Sequence, residues 1–129
     1  MPVKELVVHK VILIEDNEEM RSLLNVLLDM EGYQVVQLTG AEGQNDILRC
    51  IRDNMPHLVI LDAHLPGTNS FDLIQNVRQD SSIAPIQILM SSGMDLETKS
   101  YQAGADGFII KPYMPDDLIR KIKKMIGTT

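Results

Sequence analysis

The sequence predicts a doubly wound α/β domain: a five-stranded parallel sheet in the order 2-1-3-4-5, with five flanking helices. Three observations point there. Short apolar runs, Val11-Ile12-Leu13-Ile14 and Leu58-Val59-Ile60-Leu61, each lead into acids and carry the β-branched residues of strands buried on both faces. Stretches of helical periodicity separate the runs, as in successive βαβ units. Right-handed crossovers leave few topologies, and the order 2-1-3-4-5 sets the ends of the first and third strands side by side at the switch point of the sheet, where ligands bind.

The length of 129 residues suits one domain with a real core. Residues 1–9 read as an N-terminal extension and residues 10–127 as the folded domain. Hydrophobic residues make up 44% and charged residues 23%, and the formal net charge is −6. That balance argues against direct nucleic-acid binding, which needs a basic face. It suits a site for a metal cation or a surface for a basic partner. A single cysteine, Cys50, cannot form an internal disulfide and points to a reducing cytoplasm. No apolar run approaches a membrane span, and Met1 to His9 lack a signal-peptide layout.

Along the chain, Lys10 to Ile14 form the first strand, ending on Glu15 and Asp16. Asn17 suits a helix N-cap, with Glu18 and Glu19 where the helix dipole favours acids. Met20, Leu23, Leu24, Leu27 and Leu28 follow at helical spacing, and Gly32 closes the helix. Residues 33–38 alternate in part and read as an edge strand. Residues 41–54 form a weaker helix with Ile47, Leu48 and Ile51 inward, broken by Met55-Pro56. The central strand, 57–62, ends on Asp62. Residues 69–79 form a helix on Leu73, Ile74 and Val77. Residues 85–90 are the fourth strand, leading into Ser91-Ser92-Gly93. A helix over 95–104 has a thin apolar stripe, Met94 and Tyr101, and is weakly anchored. Gly107 to Ile110 form the fifth strand, leading into Lys111-Pro112. The last helix starts at Asp116-Asp117 and turns Leu118, Ile119, Ile122, Met125 and Ile126 inward.

This arrangement gathers chemistry at one sheet edge. Glu15, Asp16 and Asp62 converge, and carboxylates so close require a cation or protons among them. Oxygen ligands without a His/Cys set favour Mg2+, Mn2+ or Ca2+. Ser91 supplies a hydroxyl and Lys111 a positive charge. Together these groups suit phosphoryl transfer with Asp62 as nucleophile. Taken singly, each has a plainer reading: Asp62 as a loop cap, Glu15 and Asp16 as helix caps, Ser91 as a turn residue, Lys111 as a surface lysine and Phe108 as core.

The motifs resemble the receiver domain of two-component response regulators. Ile14-Glu15-Asp16-Asn17 matches the acidic pair, and Leu61-Asp62 with Leu65-Pro66-Gly67 matches the phosphoacceptor loop. Met90-Ser91-Ser92-Gly93 matches the hydroxyl position, and Gly104-Ala105-Asp106-Gly107-Phe108 with Lys111-Pro112 matches the final strand. The resemblance covers about residues 10 to 126 and implies a flavodoxin/CheY-like fold. It implies that a sensor histidine kinase or phosphotransfer protein phosphorylates Asp62. It also implies that Asp16, Asp62 and the His64 backbone carbonyl bind Mg2+ (Mn2+ as an alternative), with Glu15 acting through water. Ser91 and Lys111 would hold the phosphoryl group, and Ser91 and Phe108 would switch the surface of the fourth helix, fifth strand and fifth helix. The receiver would assist only its own phosphorylation and dephosphorylation. A downstream protein or output domain, and a phosphorylation-dependent homodimer, are the partners implied. A cis peptide is expected before Pro112.

Four positions depart from the common pattern. Glu15 replaces Asp, Ser91 replaces Thr, Phe108 replaces Tyr, and Asn69-Ser70 replace Asp-Gly, which raises the question of a backbone strain that glycine would relieve. Two rival functions share the fold. One is a Mg2+-dependent phosphohydrolase using Asp62, against which His64 stands where a second acid is wanted. The other is a non-phosphorylated interaction module.

Overall fold

The computed structural model describes residues 8–127. Most of the extension expected over residues 1–9 therefore lies outside the described residues. The elements run β1 (Lys10–Ile14), α1 (Glu18–Met30), β2 (Gln34–Leu38), α2 (Gln44–Asn54), β3 (Leu58–Asp62), α3 (Ser70–Gln79), β4 (Gln87–Ser92), α4 (Glu97–Ala103), β5 (Gly107–Ile110) and α5 (Pro115–Ile126). The strands pair in parallel in the order β2-β1-β3-β4-β5. Both the order and the class are those expected from the sequence.

The two-residue period of a strand sorts the core into two layers. Val11, Leu13, Leu58, Ile60, Leu89 and Ile109 pack against α1 and α5. Ile12, Ile14, Val59, Leu61, Ile88, Met90 and Phe108 face the other way, toward Ile47 and Ile51 of α2 and Leu73, Ile74 and Val77 of α3. Every residue of β3 is buried, whereas β2 is only half covered. A central strand and an edge strand differ in this way.

Several boundaries move from their expected positions, each for a local reason. Asn17 caps α1 as expected, its side chain accepting from the Met20 N–H at 2.9 Å. Helix α2 begins at Gln44 rather than residue 41, because Glu42 folds back on the preceding turn. Strand β4 begins at Gln87 and runs through Ser92, so Ser91 lies within it. Of the apolar residues at helical spacing in α1, Leu24 and Leu28 carry the contact, while Leu23 is 48% exposed. Met94 and Tyr101, expected to anchor α4, are also exposed. That short helix is held instead by buried Ser100 and by the loop after it. Arg78 fixes that loop: its guanidinium donates to the carbonyls of Gly104, Ala84 and Ile86 and pairs with Asp106 at 2.6 Å.

Candidate functional site

The period that sorts the core also builds the site. Glu15 continues the parity of Val11 and Leu13, Asp62 that of Leu58 and Ile60, Ser91 that of Leu89, and Lys111 that of Ile109. All four therefore emerge at the carboxyl edge on the α1/α5 side. Asp62 and Ser91 are register partners across β3 and β4. Glu15, Asp16 and Asp62 each offer an oxygen, and these oxygens lie within 4.8 Å of one another.

Lys111 reaches into this group. Its Nζ donates to Glu15 Oε1 at 2.7 Å and to Asp62 Oδ2 at 2.8 Å. The other Asp62 oxygen, Oδ1, accepts the His64 N–H at 2.9 Å. Glu15 Oε2 accepts the Asn17 N–H. Glu15 and Asp62 are buried, and Asp16 is exposed. The Lys111-Pro112 peptide is cis, as expected.

These contacts tune the charges unequally. Burial pushes the Glu15 carboxyl above its ordinary range, a push that the Lys111 ammonium opposes. Burial acts on Asp62 too, but the His64 N–H, Lys111 and Glu15 outweigh it and hold its carboxyl below the usual range. Burial also works against the charge of Lys111, and the two carboxylates more than restore it. Asp62 thus stays ionised and aligned, as a nucleophile must be.

Three carboxylates against one ammonium leave an anionic pocket with hard oxygen donors. The pocket fits a divalent cation of the Mg2+ type. Beside it opens a cleft of about 660 Å³ lined by residues that include Asp16, His64, Thr68, Phe71, Met94 and Lys99. His64 and Asp16 border both spaces, so the acidic pocket opens to solvent through this cleft.

Phe108 lies on the opposite face of the sheet, 5% exposed, as the register partner of Met90. A phenylalanine gains nothing by facing water, which fits this inward placement. Asn69 and Ser70 are not strained: Met55 is the one non-glycine with a positive φ among the described residues. Asn69 caps α3, accepting from the N–H groups of Phe71 and Asp72. Ser70 begins the helix and donates from Oγ to the Asp62 carbonyl at 2.6 Å.

Sequence reasoning missed two supports of the site. Lys99 of α4 sits over the Phe71 ring, 4.4 Å from its centroid, and links α4 to α3. Glu42 orders the turn after β2, accepting from the N–H groups of Thr39 and Gly40 and from the Thr39 hydroxyl. That turn holds the loop that follows β3: the Gly67 N–H donates to the Gly40 carbonyl at 2.9 Å. A Cβ on Gly67 would lie 2.6 Å from the Ala41 backbone, so this approach requires glycine. Thr39-Gly40 with Glu42 two residues on, just past a strand, was the available signal for such a turn.

Burial raises the Glu42 pKa, but the donors of Thr39 and Gly40 win and leave it lowered. A carboxyl lowered on folding contributes stability above its unfolded pKa and loses it as the pH falls through the folded value. We expect Glu42→Gln to cost less than about 1 kcal/mol at pH 7, since the group is partly exposed. The gap between variant and wild type in urea unfolding should then close as the pH drops below 4.5. A gap that stays constant with pH would rule out the carboxylate as the organiser of this turn.

Fold and site together define a class: a doubly wound parallel sheet bearing an acidic cation pocket and a lysine at its switch point. The family model for the response regulator receiver domain matches residues 11–123, and the chain belongs to that family. It is 32% identical over 122 residues to the phosphate regulon transcriptional regulatory protein PhoB of Pseudomonas aeruginosa, covering 92% of this chain and 52% of that protein. The chain thus spans about half the length of the curated relatives it matches. A response regulator receiver domain protein of Methanospirillum hungatei superposes with a TM-score of 0.81 at 26% identity, covering 93% of this chain and 94% of that one. The receiver domain of the sensor histidine kinase PA1611 of Pseudomonas aeruginosa, solved with magnesium in its active-site cleft, shares the fold at a TM-score of 0.80 and 18% identity, covering 95% of this chain and all 100% of that one. The chain is therefore a signalling domain of two-component systems. No helix among the described residues is long and apolar enough to cross a membrane.

Proposed function

We propose that residues 10–127 form a receiver domain in which Asp62 accepts a phosphoryl group from a histidine kinase or phosphotransfer protein in the cytoplasm. The observation that carries this reading is the Lys111 bridge between Glu15 and Asp62, at 2.7 and 2.8 Å, inside a three-carboxylate pocket. An Asp62 oxygen forms the new P–O bond while the P–N bond of a donor phosphohistidine breaks, and the imidazole leaves with the electron pair. Asp16, Asp62 and the His64 carbonyl would hold Mg2+, with Glu15 acting through water; the ion supplies charge neutralisation for the transferred group. Lys111 then exchanges part of its carboxylate contact for a phosphoryl oxygen. Ser91, register partner of Asp62, would donate to the same group. Its movement would bias a two-state equilibrium read at α4, β5 and α5. Downstream, a target protein or an output domain would read that surface.

Incubation with acetyl phosphate tests the reading by intact-protein mass. One phosphoryl adduct that needs Mg2+ is expected. Absence of both adduct and Mg2+ binding would leave an interaction module, and steady turnover of a simple phosphate ester would favour the hydrolase.

A further inference from the structure

Ser70 stands where the resembling family usually has glycine, and its side chain is buried to 1% exposure eight positions after Asp62. Its Oγ donates to the Asp62 carbonyl at 2.6 Å. The other end of that same peptide unit, the Ala63 N–H, donates to the Ser91 carbonyl at 2.8 Å. One peptide plane is thus held at both ends, by α3 on one side and β4 on the other. This plane joins the acid to Ala63, the residue before His64, and the next N–H, that of His64, holds Asp62 Oδ1 at 2.9 Å. A glycine at position 70 offers no donor to this buried carbonyl.

We propose that Ser70 is a positioning residue of the phosphoacceptor site. Its hydroxyl fixes the Asp62-Ala63 peptide and through it the direction of the Asp62 carboxylate and the His64 carbonyl. The proposal rests on the reading of Asp62 as phosphoacceptor. Released from Ser70, the plane can rock, and both the acid and the carbonyl then sample geometries that fit neither cation nor donor. A partner group that orients a ligand typically changes metal affinity or activity by roughly tenfold or more.

Ser70→Ala and Ser70→Gly are compared with wild type and with Tyr33→Phe. The last variant deletes a hydroxyl-to-carbonyl bond of the same kind, Tyr33 to Gly127 at 2.8 Å, at the opposite end of the sheet. Three quantities are read: hydrogen exchange of the Ala63 amide without metal, the Mg2+ dissociation constant by calorimetry, and the acetyl phosphate labelling rate at saturating Mg2+. Both Ser70 variants should exchange faster at Ala63, bind Mg2+ several-fold more weakly and label roughly tenfold more slowly. Tyr33→Phe should leave all three unchanged even where it lowers the melting temperature. Ser70 variants that match wild type in Mg2+ affinity and labelling, with wild type itself active, would overturn the positioning role alone. A wild type that neither binds Mg2+ nor labels would overturn the phosphoacceptor reading and this inference with it.

Discussion

Asp62→Asn should leave the protein folded and remove Mg2+-dependent phosphorylation by acetyl phosphate. The expected loss is on the order of a thousandfold or more, since the atom that attacks phosphorus is gone rather than misplaced. Stability should move by no more than about 1 kcal/mol. The amide oxygen can keep the His64 N–H bond, and removal of one buried negative charge relieves Glu15 while it weakens the hold on Lys111. Mass spectrometry of the labelled protein, with urea unfolding alongside, reads both effects. Labelling of this variant at the wild-type level would place the phosphoryl group elsewhere.

Lys111→Met should have the second largest effect, and it should split in two. The ammonium is paired with two buried carboxylates, and its own pKa is raised on folding. A lysine with a raised folded pKa contributes stability throughout the range below its unfolded value of 10.5, so the contribution is fully present at pH 7. Breaking a fully buried pair costs about 3–5 kcal/mol. Here the lysine side chain is 22% exposed and Glu15, its carboxyl already raised, can take up a proton, so about 1–2 kcal/mol is expected at pH 7 without metal. Adding Mg2+ should recover much of that loss, because a divalent charge replaces the missing ammonium. Labelling should still fall about a hundredfold, since Lys111 would face the transferred group in the proposed reaction. Undiminished labelling at saturating Mg2+ would show that Lys111 merely compensates the acids.

The fold was legible because apolar runs and periods repeat along the whole chain. The parity that buries Leu58 and Ile60 also aims Asp62, so the acidic pocket followed from the strands and from their order. The residues that hold the pocket steady left no such trace. Ser70 acts through one hydroxyl on a carbonyl eight residues back, and Glu42 through a turn that meets the loop after β3 at Gly67. Such bonds from side chain to backbone have no period and depend on loops brought together by the fold. The same cause explains the late start of α2, since Glu42 was counted into a helix that its carboxylate delays. The exposure of Leu23 has a different origin: helical spacing selects a stripe, and α1 buries only the part of it that faces the sheet.

In the proposed function Asp62 forms an acyl phosphate. Wild-type protein labelled with acetyl phosphate and Mg2+ can be treated with borohydride, which reduces an acyl phosphate to an alcohol and leaves phosphoserine and phosphothreonine intact. Peptide mass mapping should find the reduced side chain at Asp62 and nowhere else. A reduced residue at Glu15 or Asp16, or a phosphoryl group that survives reduction on Ser91 or another hydroxyl, would contradict the account.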